Sequence, residues 1–267
     1  MLPAVRNTAL MRGKTYIGID FGTSTTVVSI ASYDEYDHKI HTESFRLPQM
    51  LPDGTLYKSD IVPTVIAWLN GRILVGEGAS QMKYQLKKGK NIWYSFKMEL
   101  GEDLGAKYYD SELREVDPFR IKNPVDAARV FFAYLKYLII KYCTENNIST
   151  DILYAVSIPA SFEANQRKDL LDALMANDMK VSKQALIDEP NAAFISYAVS
   201  RAAEDRPMFI SPDYNSKVLV FDFGGGTCDI SILEIGQSAN GFFSKNIAIS
   251  KFTKLGGDDI DRYITYH

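Results

Sequence analysis

Val218–Ile235 reads VLVFDFGGGTCDISILEI, and its reading decides the fold. Residues 218–221 form a continuous apolar run, the pattern of a strand buried on both faces. Asp222 ends the run, Gly224, Gly225 and Gly226 turn the chain, and Ile230–Glu234 predicts a returning strand. Glycines in a tight turn leave consecutive backbone N–H groups free to converge on an anion. An aspartate at the mouth of such a turn repels a phosphate unless a divalent cation lies between them. The stretch predicts a hairpin that holds a metal–phosphate complex; taken alone, it fits a glycine-rich hairpin with an exposed aspartate equally well. It is not a P-loop, because no Lys-Ser/Thr follows the glycines and no helix begins there.

The pattern occurs twice. Ile17–Ile30 reads IGIDFGTSTTVVSI, and Leu219–Ile232 reads LVFDFGGGTCDISI. Aligned without gaps, Asp20 falls on Asp222, Phe21 on Phe223, Gly22 on Gly224, Thr25 on Thr227 and Ser29 on Ser231. Two strand–Asp–Phe–Gly–turn–Thr–strand units predict two similar half-domains, with phosphates held between two hairpins and an aspartate on each side of the metal.

Composition sets the bounds. The 267 residues suffice for one large or two ordinary domains, and 46% hydrophobic with 24% charged residues is ordinary for a globular chain. A net charge of −3 gives no electrostatic case for nucleic acid or an anionic membrane. Cys143 and Cys228 have neither metal-ligand spacing nor a disulfide framework, which suits a reducing compartment, so a cytoplasmic location is expected. The most apolar helical stretch, FFAYLKYLII, contains Lys136 and is too short to span a bilayer. Residues 1–14 carry Arg6, Arg12 and Lys14 without an apolar core, so they predict a flexible tail rather than a secretory signal, with Met11 an alternative start.

Along the chain, Tyr16–Ser32 is the first hairpin, and residues 33–123 read as an inserted subdomain. Within it, Ile61–Trp68 and Arg72–Val75 predict strands joined by Asn70-Gly71, a type I′ turn signal. Asn123-Pro124 predicts a helix cap and first position, with apolar residues at helical spacing to about Asn146-Asn147. A strand at Ile152–Ile158, a helix at Glu163–Ala176, a short strand at Ala185–Ile187 and a helix from Asp188-Glu189-Pro190 to about Ala203 follow. Residues 204–217 read as a polar loop, Ile247–Phe252 as a strand, and Leu255-Gly256-Gly257-Asp258-Asp259 as a turn into a helix. The expected division is a first half-domain over 15–203 and a second over 204–267, the latter incomplete at His267.

Five segments resemble, in order, the nucleotide-binding domain of DnaK-type chaperones, the heat shock protein 70 family, within the actin–hexokinase superfamily. They are GIDFGTST, SFKMELG, SIPASFEANQR, LIDEPNAA, and FDFGGGTCDISIL with KLGGDDID, spanning Tyr16 to about Tyr263. The resemblance implies an α/β, actin-like ATPase (ribonuclease H-like) fold with two half-domains around a nucleotide cleft. It implies ATP binding and hydrolysis to ADP with Mg²⁺, and K⁺ as a monovalent cation. In a full-length parent it implies a J-domain co-chaperone, a nucleotide exchange factor and unfolded client peptides as partners.

Site roles follow from the matched positions. Asp20 and Asp222 are expected to hold hydrated Mg²⁺, and Asp229 a monovalent cation. Gly22, Thr23, Ser24 and Thr25 are expected at the phosphates from one half, and Gly224, Gly225, Gly226 and Thr227 from the other. Lys97 is expected to orient the attacking water and offset charge on the γ-phosphate; without the resemblance it reads as a solvated lysine. Glu189 matches the family's glutamate in the metal and water shell, and reads equally as an acidic cap before Pro190. Lys97, Glu189, Asp222 and Thr227 form the expected catalytic set.

The departures are modest. Phe21 and Phe223 stand where the family usually has leucine, Asn191 where it has threonine, and Cys228, expected as a small buried filler, where an aromatic is common. The family's lid and its later glycine-rich motif, which grip adenosine, would fall beyond His267, so weak binding with little adenine preference is expected of this stretch. Competing readings are an actin-like filament protein, a small-molecule kinase of the superfamily, and a non-catalytic scaffold.

Overall fold

The computed structural model describes residues 13–34, 36, 39–104, 111–112, 119–181, 185–203, 216–238, 241–250 and 255–266. Residues 1–12 of the tail expected over 1–14, and 204–215 of the loop expected over 204–217, lie outside the described residues. The described chain forms two compact units, one over 13–156 with 163–185, the other over 157–162 with 186–267.

The first unit opens with β1 (Thr15–Phe21), β2 (Thr25–Asp34) and β3 (Lys39–Ser44), paired antiparallel in sequence order. Period-two alternation decides its faces: Thr15, Ile17, Ile19 and Phe21 are buried, while Gly18 and Asp20 are exposed. Short strands β4 (Leu47–Met50), β5 (Leu56–Ser59) and β6 (Ile61–Pro63) follow, and β6 pairs with the start of β2. The expected single strand Ile61–Trp68 is broken at Thr64, and β7 (Val65–Leu69) belongs to a different sheet. Pro63 supplies the reason, since it lacks the donor that an uninterrupted internal strand requires.

β7 sits between β8 (Arg72–Val75) and β9 (Ile92–Tyr94), with the short α1 (Glu77–Ser80) against it. Asn70 and Gly71 have φ of 50° and 77°, the positive pair of a type I′ turn, and Leu69 pairs with Arg72 across it. Val65, Ala67, Leu74, Ala79, Met82 and Ile92 form this subdomain's core.

α2 (Pro124–Glu145) starts as its sequence dictates: Asn123 Oδ1 accepts the Asp126 amide at 2.8 Å, and Pro124 occupies the first turn. Its buried stripe includes Phe131, Phe132 and Leu135. The Phe132 ring lies 4.9 Å from that of Phe21, so α2 covers the buried face of β1. β10 (Ile152–Ile158) adds beside β1, giving the order β10-β1-β2-β3, and α3 (Ala164–Met175) packs on α2. Elements and pairing amount to an α/β fold with a mixed sheet.

The second unit holds β11 (Leu186–Asp188), α4 (Glu189–Ala203), β12 (Ser216–Phe223), β13 (Cys228–Ser238), β14 (Gly241–Ile249) and α5 (Gly257–Thr265). β12, β13 and β14 form an antiparallel sheet in that order. Ser216 and Lys217, expected in a loop, are strand residues, and the strand expected over 247–252 begins earlier, at Gly241; residues 251–254 lie outside the described set. Phe194 and Ala198 of α4 pack with Leu233 and Ile235, and Val218 and Val220 lie against them.

The expectation that 218–221 is buried on both faces is overturned. Leu219 and Phe221 are 63% and 61% exposed, because only one face of β12 lies against α4. Phe223, Ile230, Ile247 and Ile249 are exposed as well. Among the described residues no helix is long and apolar enough to cross a membrane.

Candidate nucleotide site

The two hairpins share one register. Gly18 pairs with Ser29 and Asp20 with Val27; at the corresponding positions Val220 pairs with Ser231 and Asp222 with Asp229. The duplication read from sequence is therefore a duplication of strand pairing, not only of residue types.

In the first turn, Gly22 has no room for a side chain: a Cβ there would lie 2.2 Å from the Thr25 carbonyl oxygen. Thr64 fixes this turn from the break between β6 and β7. Its hydroxyl donates to the Gly22 carbonyl at 2.9 Å, and its amide donates to the Ser24 carbonyl at 2.8 Å. The Thr26 and Thr64 hydroxyls are 2.9 Å apart. Thr64's single proton is committed to Gly22, so Thr26 is the donor between them. With the turn's carbonyls engaged on this side, Thr23 is 8% exposed, Ser24 is half-buried, and Thr25 and Asp20 are exposed. Thr64 was not singled out from the sequence; the signal available was Pro63, which forces a break beside it.

Lys97 is presented by a 3-10 turn, Phe96–Glu99, entered through Ser95 at φ 60°. Lys97 is 3% exposed, so the solvated reading that its residue type alone would give does not hold. Its segment is tied down on both sides. Glu99 pairs with Lys88 at 2.9 Å, and the Gly101 amide donates to Asp169 Oδ2 at 2.8 Å while its carbonyl accepts from Asn165 Nδ2 at 3.0 Å. Gly101 has φ 79° and a Cβ there would meet Asn165 at 2.7 Å, so glycine is required on both conformational and steric grounds.

In the second unit, Gly224, Gly225 and Gly226 are half-buried and Thr227 is buried. The Gly224 amide donates to the Thr227 carbonyl at 2.9 Å, closing the turn. The start of α5 grips the turn from behind. The amides of Gly257 and Asp258 donate to the carbonyls of Gly224 and Gly225 at 3.0 and 2.8 Å.

Asp222 and Asp229 are directly opposed across β12 and β13, so both carboxylates project from one face. Asp229 is 4% exposed; its Oδ1 accepts from the Ser161 hydroxyl at 2.5 Å, and its Oδ2 is buried without a partner. Like charges opposed in this way destabilise a sheet, and a buried carboxylate oxygen without a donor is costly. A bound cation relieves both, so these residues fit the ions expected of them. The first hairpin places Val27 where the second has Asp229, so no second aspartate opposes Asp20 across the strands. Among the described residues no group of three or more His, Cys, Asp or Glu could hold a metal by itself.

Glu189 is half-buried at the first position of α4. A polar network fixes that helix start on β14. Asn246 Nδ2 donates to Asp188 Oδ2 at 2.8 Å, Asn191 Nδ2 donates to Asn246 Oδ1 at 3.2 Å, and the Ser244 hydroxyl donates to Asn191 Oδ1 at 2.6 Å. Asn191, one of the sequence departures, thus uses both ends of its amide, donating to Asn246 and accepting from Ser244. Ser161, Ser244 and Asn246 carried no legible signal, because their partners are 53 to 68 residues distant. Cys228 is half-buried rather than a buried filler, whereas Cys143 is buried and burial pushes its thiol pKa up.

The family model described as Hsp70 protein matches residues 16–267.

Proposed function

The chain belongs to the Hsp70 protein family, with that family's nucleotide-binding domain architecture, and on that premise we propose that it binds and hydrolyses ATP through its two glycine-turn hairpins. The observation that carries this reading is the opposed Asp222–Asp229 pair with its unpartnered buried oxygen at the mouth of the second turn. By the family resemblance Asp20 and Asp222 would hold hydrated Mg²⁺, and Asp229 would hold K⁺. When bound, Mg²⁺ neutralises charge on the phosphate oxygens.

The chain's own groups do the rest. The backbone amides of Thr23, Ser24, Gly225 and Gly226 receive phosphate oxygens, in turns whose carbonyls are engaged by Thr64 on one side and by α5 on the other. Gly22 and Gly224 let the backbone reverse, and the Thr25 and Thr227 hydroxyls add side-chain donors. Lys97, held on a pinned segment, places a positive charge at the transferring phosphoryl group and orients the attacking water. Glu189 orients water from the start of α4. The wider role is chaperoning in the cytoplasm, with J-domain and nucleotide-exchange partners and unfolded client peptides.

Steady-state ATP hydrolysis with and without Mg²⁺ tests this reading, with Lys97→Ala alongside. Charge on the γ-phosphoryl group matters most in the transition state, so Lys97→Ala lowers kcat far more than it raises the ATP dissociation constant. Equal losses in both make Lys97 a phosphate binder only. Turnover that is indifferent to Mg²⁺ and to Lys97 overturns the assignment.

A further inference from the structure

We propose that Phe21 is a positioning residue for Lys97, holding the lysine ammonium against the face of its ring by a cation–π contact. The inference rests on the ATPase reading for its consequence, and on geometry for the contact. The Lys97 ammonium lies 5.7 Å from the Phe21 ring centroid, within the range at which a ring quadrupole attracts a cation. Lys97 is 3% exposed and Phe21 is fully buried, so the attraction acts out of water, where it is strongest.

The ring itself is held. Phe96, Phe131 and Phe132 surround it at centroid distances of 6.2, 6.1 and 4.9 Å, all tilted. Phe96 is also the residue before Lys97, so one aromatic cluster fixes both the ring and the turn that delivers the ammonium. The contact is not a by-product of the hairpin motif. At the corresponding position of the second hairpin, Phe223 is 43% exposed and stacks on Phe221 at 6.4 Å. A leucine at position 21 would fill similar space but offers no π face. Lys97 is a long, flexible side chain, and an ammonium that must meet a phosphoryl group gains from being placed beforehand.

The test replaces Phe21 in the full chain, by site-specific incorporation, with 4-fluoro-, 3,5-difluoro- and 3,4,5-trifluorophenylalanine. Fluorine drains the ring's negative face while changing its volume little, so the fold is retained where Phe21→Leu or Phe21→Ala could leave a cavity. Two readouts are taken: the ¹⁵N resonance of the Lys97 ammonium, identified by its absence in Lys97→Arg, and the steady-state kinetics of ATP hydrolysis. The expected result is a stepwise shift of the resonance with fluorine count, with kcat falling about threefold to tenfold across the series and KM steady. A resonance that does not move with fluorination overturns the contact, whatever the kinetics. A resonance that moves while kcat stays constant overturns the positioning role. Absence of ATP turnover in the unsubstituted protein is a failure of the ATPase reading, visible before any substitution, and the resonance series still decides the contact.

Discussion

Asp222 and Asp229 face each other across β12 and β13, and the buried Oδ2 of Asp229 has no hydrogen-bond partner. The pair should therefore change the sign of its contribution with the solution. In buffer free of divalent cations and K⁺, Asp229→Asn removes a buried charge opposed to another, and the variant should gain about 1 kcal/mol in urea unfolding. With Mg²⁺, K⁺ and ATP present, the same variant should lose the stabilisation that the wild type gains from ligands, because linkage favours only the form that binds. Asp229→Asn destabilised equally in both buffers would remove the cation from the account.

Thr64 closes the first turn from a strand break 42 residues away. Thr64→Val keeps the volume but strands the Gly22 carbonyl and the Thr26 hydroxyl, a loss of about 1–3 kcal/mol in stability. Thr64→Ser retains the donor and should lose much less. Nucleotide affinity measured by calorimetry should follow the same order, because the turn's amides are oriented by this bond. A valine variant with wild-type stability and affinity would show that the turn holds its shape unaided.

Tyr154 provides a pH test of the first unit's core. It is 4% exposed, and burial pushes its phenol up to about 12 from 10. A folded pKa above the unfolded one contributes stability in full below pH 10, and the contribution is lost as pH rises to about 12. Urea midpoints should hold steady up to pH 10 and then fall, and Tyr154→Phe should flatten part of that fall. A midpoint equally steep in the Phe variant would assign the alkaline loss to other groups.

The hairpins, their register and the helix caps were legible because each is a local pattern. Asp-Phe-Gly recurs at matched positions, Asn123-Pro124 caps α2 within three residues, and Asn70-Gly71 sets its own turn. Burial was not legible. Phe21 and Phe223 occupy the same place in identical registers, yet Phe21 is buried under α2 and Phe223 is 43% exposed. The difference lies in what packs on each face, which no residue within the hairpin encodes. By residue type alone Lys97 reads as a surface lysine for the same reason, since the Phe21 ring it lies over belongs to a distant strand. Thr64, Ser161 and Asn246 were missed because a hydroxyl or amide has no signature until its distant partner is known.

Gly256 offers the sharpest test of the second turn. Its backbone is extended, with φ −155°, so any residue could adopt that conformation and the requirement for glycine is steric. A Cβ at Gly256 would lie 2.5 Å from the carbonyl carbon and oxygen of Gly225 and from the amide nitrogen of Gly226. These are backbone atoms of the turn itself, so accommodation means moving the turn. The neighbouring Gly257 makes the control, since a Cβ there would come no closer than 3.7 Å to the Gly225 Cα, an ordinary contact. Gly257 also lies inside α5, where alanine is the better helix former. Gly256→Ala should therefore weaken Mg²⁺-dependent ATP binding about tenfold or more, through amides no longer aimed at one point. Gly257→Ala should stay within about twofold of wild type and melt no lower. Circular dichroism of both variants should match the wild type, which separates a displaced turn from a lost fold. If Gly256→Ala binds nucleotide as the wild type does, the turn clamped by α5 is not where the phosphates sit.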